Sequence, residues 1–451
     1  MHVYKLPLYI ALLGALVMTV AVSAEERQVT STPKNHHLDN NDNFSPDLKY
    51  LVYDTREMHG PGIDNSRTIE MVEIATGKET VLYEPPFKRE GDKAVPGVAA
   101  VSFHPIENSV VFIHGPLVKD LAARGWYGKP NRNGASVVAD GSGTMTWADH
   151  RDIDTSRPTL PGAHRGGTHR HEYSFDGKRI GFTYDDFLVT EFDRTIGMEL
   201  PHPDAPGGAS HYFCLLVRPV PKGTSKPGEI EKAYGDSWIG REGHSRGFIG
   251  VVRNEDGETY EESLFVVDIP KDIDITTAKA GSGTEYPTPP EGLRIRRLTH
   301  SFAKGILRGT LEADRIAYYA LDSNGILQVF IIASDGSDRS SDPAKRPVQA
   351  TRFDQDAGEG VRWHPSGNYI ATVANNGVAA TCVKPGADFG KTKWLTPQGD
   401  SPLRYALVWS PDGKTLAYNK DVPTTGPDGT IVKTYAGGDC AQIFMVDFEE
   451  F

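Results

Sequence analysis

The chain has 451 residues but only three cysteines, Cys214, Cys382 and Cys440. So few cannot make a disulfide framework, and each sits in an apolar, strand-like context, so buried free thiols are expected. No block rich in lysine or arginine occurs, and the net charge is −12. Nucleic acid is therefore not an expected partner. A polyanionic substrate stays admissible, because the local field in a cleft can oppose the net charge. Neither H-E-x-x-H nor a P-loop string is present. Long apolar runs are missing as well, with one exception at the start. Lys5 precedes an almost unbroken apolar stretch from Leu6 to Val22, and Val22-Ser23-Ala24 supplies small residues for cleavage before Glu25. This reads as a secretory signal over residues 1–24. Residues 25–451 then form an exported domain with no membrane span.

What the sequence does have is repetition. An aromatic, a short turn such as S-P-D-G and an alternating apolar strand recur at Phe44, Phe103, Tyr173, Trp238, Gly309, Trp363 and Trp409. Gly309 has lost the aromatic but kept the strand. These starts lie 46 to 71 residues apart, the spacing of four-stranded propeller blades stretched by loops. Third strands read TIEMVEI from Thr68, SLFVVDI from Ser263, QVFIIAS from Gln328 and QIFMVDF from Gln442. The last copy has no fourth strand before Phe451, and RQVTSTP from Arg27 has the missing pattern. The expected fold is an all-β, seven-bladed β-propeller whose N-terminal strand closes the last blade, which protects the edges of the ring.

Counting four residues back from each repeat start gives the ring where the inner strands begin: Asn40, Ala99, His169, Tyr234, Gly305, Glu359 and Tyr405. The same face should gain long loops at 54–66, 114–133, 185–210 and 253–261, facing tight turns in blades five and six. High walls opposite low walls describe a groove, which suits a polymer. In RGGTHRHEY, from Arg165 to Tyr173, simple strand alternation would point His169 and His171 to one side. They could share a metal or supply a general base; the bland alternative is polar lining. Tyr234 falls at the same register one blade on. Arg253 opens a loop on this face, where it could hold a carboxylate or be a solvated turn residue. His300 remains a candidate, and His114, His211, Trp126 and Tyr127 could line the groove. His104 and His364 read as structural, and His244 falls on the opposite face.

The repeat is similar to that of periplasmic Tol-type propellers. The whole exported region, with its RGGTH-x-H segment, AY…W region and LTH strand, also resembles the ulvan lyases of polysaccharide lyase family 25 and a related set of enterobacterial propellers. That resemblance implies β-elimination at a uronic acid in an acidic, sulfated polysaccharide; the protein is expected to be a monomer. It implies His169 and Tyr234 as proton-transfer groups and Arg253 as the carboxylate neutraliser. Arg165, His171, His300, Tyr405 and Glu359 would then bind substrate. No cofactor is needed for such catalysis, and a structural zinc is admitted with its ligands unplaced. The family also has a second histidine where this chain reads Asp185-Asp186-Phe187-Leu188-Val189. Two rival readings stand beside it: a non-catalytic periplasmic propeller that binds protein or glycan, and a metal-dependent oligogalacturonate lyase.

Overall fold

The computed structural model describes residues 25–38, 42–58, 62–399 and 402–451; the expected signal segment and Asn40 lie outside the described residues. Among the described residues seven antiparallel blade sheets follow one another along the chain, six of four strands and one of three, beside two small two-stranded hairpins. In six of them the repeat start ends or nearly ends the inner strand: Val98–Phe103, Gly167–Tyr173, Ile230–Ile239, Lys304–Gly309, Ala357–Trp363 and Arg404–Trp409. Blade one has Tyr50–Asp54, Ile69–Glu73 and Glu79–Tyr83, and its inner edge is carried by bridges of His37 to Asp54 and Phe44 to Leu51. The ring closes as expected. Arg27 pairs with Met445 and Gln28 with Phe444, so the N-terminal strand completes the sheet of blade seven.

The recurring turn explains itself locally. Ser45, Ser174 and Ser410 each donate from Oγ to the aspartate two residues on, at 2.7, 2.6 and 2.7 Å. Each Oγ also accepts the backbone N–H that opens the second strand, an economical way to satisfy a tight turn. Neighbouring blades are tied through the same repeat. The Trp238, Trp363 and Trp409 indoles donate to the carbonyls of Glu172, Arg308 and Arg362 on the preceding blade. His104 and His364 reach the turn carbonyls of Gly177 and Gly413 on the following blade, at 3.1 and 2.9 Å. Both histidines are structural, as the sequence suggested. The three cysteines are free and buried.

One feature departs from simple alternation. Every regular inner strand carries a bulge, with the pairing register shifting between residues 99 and 102, 169 and 172, 234 and 237, 304 and 308, 358 and 362, and 405 and 408. A residue in the left-handed region marks each one: Ala100, Arg170, Gly235, Gly305, Glu359 and Ala406. The inserted residue rotates the strand and resets which side chains face the axis.

The loops also differ from expectation in two places. Thr195–Pro201 is a strand, so the wall after Asp185 comprises residues 186–194 rather than 185–210. Blade seven adds a wall of its own, a small hairpin pairing Thr424–Thr425 with Ile431–Val432. Among the described residues no helix is long and apolar enough to cross a membrane.

Candidate functional site

On the face where the inner strands begin, His169 is half-buried and accepts a hydrogen bond at Nδ1 from Arg132 Nη1, at 2.9 Å. Burial first, and then the Arg132 charge, hold its imidazole well below the usual histidine range. It is therefore neutral at neutral pH, and the arginine fixes the remaining proton on Nε2. Arg132 arrives on the loop before the strand Asn133–Val138 and lies 5.1 Å from the Tyr127 ring centre. The two glycines before Thr168 make this approach possible: a Cβ on Gly167 would stand 2.0 Å from the Lys129 carbonyl oxygen, and one on Gly166 1.9 Å from that of Asp185.

Tyr234, one blade on, donates to Glu262 Oε1 at 2.5 Å, with Lys232 5.5 Å from its ring centre. Burial and the Glu262 carboxylate push its phenol up. Among the described residues no hydrogen bond joins Tyr234 to His169. Arg194 links their surroundings instead. Its carbonyl accepts from Ala233 N–H at 2.9 Å, its guanidinium is forked onto Asp185, and its charge also bears on His169.

The other expected residues are placed differently. His171 does not share a side with His169. The left-handed Arg170 between them breaks the alternation, and His171 is fully buried rather than in contact with a groove. Arg165 is buried too, bracing the 186–194 wall through Asp186 at 3.4 Å and the Glu285 carbonyl at 3.1 Å. Arg253 is bound on all sides: Nε to Ser225, Nη1 to the Gly257 carbonyl and Nη2 to the Tyr260 hydroxyl, with Glu231 at 3.6 Å. It secures its own loop and is not poised as a neutraliser. His300 is paired with Asp338 at 2.9 Å. Tyr405 is buried and donates to Asp421 at 2.5 Å. Glu359 sits on the bulge itself with its side chain exposed at the surface, and partial desolvation raises its carboxyl.

His114 is buried against the Tyr83 hydroxyl at 3.0 Å and does not line a groove. His211 bonds to Ser210 on the outermost strand of blade three, and Tyr127 is enclosed, burial pushing its phenol up to about 12. Trp126 remains partly exposed. His244 lies on the turn before Ser245–Arg253, at the opposite face. That turn contains Gly243-His244-Ser245-Arg246-Gly247, a formal G-x-S-x-G string. No hydrolase elbow forms there. The serine opens a β-strand rather than a strand-to-helix turn, and Ser245 Oγ bonds Asp268 while Arg246 is buried on Asp236.

Beneath His169 lies a second cluster, between blades two and three. Asp149, His171 and Glu199 are fully buried, with one ligand atom of each within 4.8 Å of the others. Asp149 accepts from Asn133, from Gly134 N–H and from Thr168 Oγ1. Burial would raise its carboxyl, but His164 and His171 hold it well below the usual range. His164 donates from Nδ1 to the Gly166 carbonyl and places Nε2 3.3 Å from Asp149 Oδ1. Among the described residues neither oxygen of Glu199 has a hydrogen-bond partner, and burial followed by the Asp149 charge pushes its carboxyl well above the usual range. Two carboxylates and the His171 imidazole, gathered in this way, are a donor set for a divalent cation such as zinc, bound through nitrogen and oxygen at about 2.0–2.2 Å. The residues fit that group. Neither Asp149 nor Glu199 was legible as a ligand in the sequence, because Asp149 comes from the bend after Met145–Trp147 and Glu199 from the strand Thr195–Pro201, both outside RGGTHRH.

The profile of a family described as "Protein of unknown function (DUF3748)" matches residues 97–205, the interval that carries Arg132, Asp149, His164, His169, His171, Arg194 and Glu199. The "Uncharacterized protein YidR" of Escherichia coli (strain K12) is 35% identical over 425 residues, covering 87% of this chain and 94% of its own. The chain belongs to the YidR family. Among solved structures, a prolyl endopeptidase matches with a TM-score of 0.48 at 11% identity, over 92% of this chain but only 50% of that one. TolB from Acinetobacter baumannii matches with a TM-score of 0.40 at 11% identity, over 89% and 81%. Likenesses this distant carry no functional argument.

Proposed function

We propose that this YidR-family propeller is an exported polysaccharide lyase that cleaves a uronate-containing polymer of the ulvan type by β-elimination. The observation that carries the reading is the contact between Arg132 and the neutral imidazole of His169. A uronate C5–H is hardly acidic until its carboxylate is neutralised. In the free protein Arg132 occupies His169 Nδ1; on binding, its guanidinium transfers to the substrate carboxylate and uncovers that lone pair. His169 then takes the C5 proton, the C–H electrons form the C4=C5 double bond, and the C4–O4 bond breaks toward oxygen. Tyr234 gives its proton to O4 and recovers one through Glu262. Arg132 thus replaces Arg253 in the role first expected for the latter, and Arg194 and Lys232 supply further positive charge for an acidic chain. A zinc ion held by Asp149, His171 and Glu199 would neutralise the buried carboxylates and stiffen the strand that carries His169.

The test is incubation of the full chain with ulvan and with pectic oligomers, following ultraviolet absorbance of the unsaturated product. Product from ulvan that is lost in Arg132→Met and kept in Arg253→Met supports the assignment. Product from pectic oligomers alone favours the oligogalacturonate reading. Binding of either polymer without product favours a non-catalytic glycan binder.

A further inference from the structure

The repeat that builds the blades also builds a second opening, at the end of the axis away from His169. Two positions of the repeat meet there. In five blades the residue before the repeat start lines the channel: Glu172, Ser237, Arg308, Arg362 and Val408. The residue two after it forms the lip: Pro46, Pro105, Phe175, Leu311, Pro365 and Pro411. Between lip and floor lies a cavity of about 290 Å³, with the rings of Phe44, Trp363 and Trp409 in its wall. That volume is at the small end of ligand cavities, which run from roughly 300 to 1,000 Å³.

Where blades five and six adjoin, the floor carries two arginines, and the Asp42 carboxylate, whose charge bears on both, also lines the cavity. Arg308 and Arg362 occupy the same register on neighbouring inner strands. Arg362 is 8% exposed, and its Nε donates to the Leu407 carbonyl at 2.6 Å. Its Nη2 is buried with no acceptor, and among the described residues neither terminal nitrogen donates to a protein group. Across the channel, Glu172 is already engaged by Arg246 at 3.2 Å and Arg308 at 3.6 Å. Burial first, then the charges of Arg308 and Arg170, hold the Arg362 guanidinium well below its usual range, against the opposing pull of Asp42 and Glu172. A guanidinium enclosed beside others and lacking an acceptor is costly to keep, and the cost is relieved by an anion. A carboxylate matches its planar fork.

We propose that this mouth is a binding site for a small organic carboxylate with a flat apolar body, its carboxylate on Arg362 beside Arg308 and its body against Trp363, Trp409 and the lip. The site is independent of the lyase reading. It lies at the opposite end of the axis and shares no residue with it.

Calorimetric titration of the full chain with benzoate, acetate, benzyl alcohol and inorganic phosphate tests it. Benzoate should bind more tightly than acetate, because only benzoate fills the apolar wall, and benzyl alcohol should not bind. Arg362→Met should weaken benzoate about tenfold or more, the range for losing a charged hydrogen bond. Leu311→Glu, which puts a carboxylate on the partly exposed lip without touching the core, should weaken it likewise in a chain that folds normally. His169→Ala should leave it unchanged. Phosphate binding as well as benzoate, or benzyl alcohol binding equally, overturns the proposed ligand class. Absence of benzoate binding, or binding indifferent to both Arg362→Met and Leu311→Glu, overturns the site.

Discussion

Replacing Glu199 with glutamine should change the stability of this protein in opposite directions with and without metal. In the metal-free chain Glu199 is fully buried, has no hydrogen-bond partner among the described residues and faces Asp149. Its carboxyl is raised in the folded state, so the folded chain keeps a proton that the unfolded chain releases above the ordinary glutamate range. The unfolded state therefore binds fewer protons, and stability falls as pH rises from that range toward the folded value. Each unit of displacement is worth about 1.4 kcal/mol. Glutamine keeps the shape and abolishes the titration. Metal-free Glu199→Gln should thus be more stable than wild type at pH 8, by about 1–3 kcal/mol, and should lose the downward slope. With zinc the order reverses. A cation bound only to the folded chain adds about 2.7 kcal/mol at one hundred times its dissociation constant. Loss of one of the three ligands should forfeit most of that gain. Metal content after dialysis, by mass spectrometry, and calorimetric melting with and without zinc measure both halves. If wild type retains no stoichiometric metal and metal-free Glu199→Gln melts below metal-free wild type, the cation argument fails.

Three further outcomes follow from the same geometry. His169→Ala and Tyr234→Phe should each lower turnover of a uronate polymer by ~100-fold or more while leaving the melting temperature near that of wild type, whereas His244→Ala should change turnover little; wild-type rates in the first two would remove both from the mechanism. His114 and His211 are pulled down to about 4, chiefly by burial. Each should cost stability as pH falls from 6.5 to 4, by up to about 3 kcal/mol, because the unfolded chain takes a proton that the folded one refuses. Replacing His114 with asparagine should flatten the acid limb of a melting-temperature profile, and an unchanged limb would count against this. Gly177→Ala should destabilise by about 1–3 kcal/mol, read by denaturant unfolding, since its φ is +72° and a Cβ would stand 2.3 Å from the His104 ring; a neutral result would refute the role given to that blade contact.

The fold was legible in the sequence because a propeller repeats its physical constraints seven times. A serine that caps its own turn, an indole that reaches the previous blade and a glycine under a neighbouring histidine are each fixed by one local need. The eye can therefore align copies that share little else. Even closure by Arg27 and Gln28 followed from a strand pattern missing at one end and present at the other. The site was less legible, for a reason confined to about three residues per blade. Counting back from the aromatic assumes an unbroken alternation, but a left-handed residue such as Arg170 or Ala406 interrupts it. His171 consequently turned from the groove into the interior. The one register that survives the bulge unaltered is the residue just before the aromatic, since it lies beyond the interruption. That register holds Glu172, Arg308 and Arg362, and the same count that misplaced His171 would have found them. Arg132, Asp149 and Glu199 were out of reach of any such count. They belong to other strands or loops and meet RGGTHRH only after the blades have packed, where Gly134 leaves room for the His171 ring and Gly167 lets the Lys129 to Arg132 loop come against the strand.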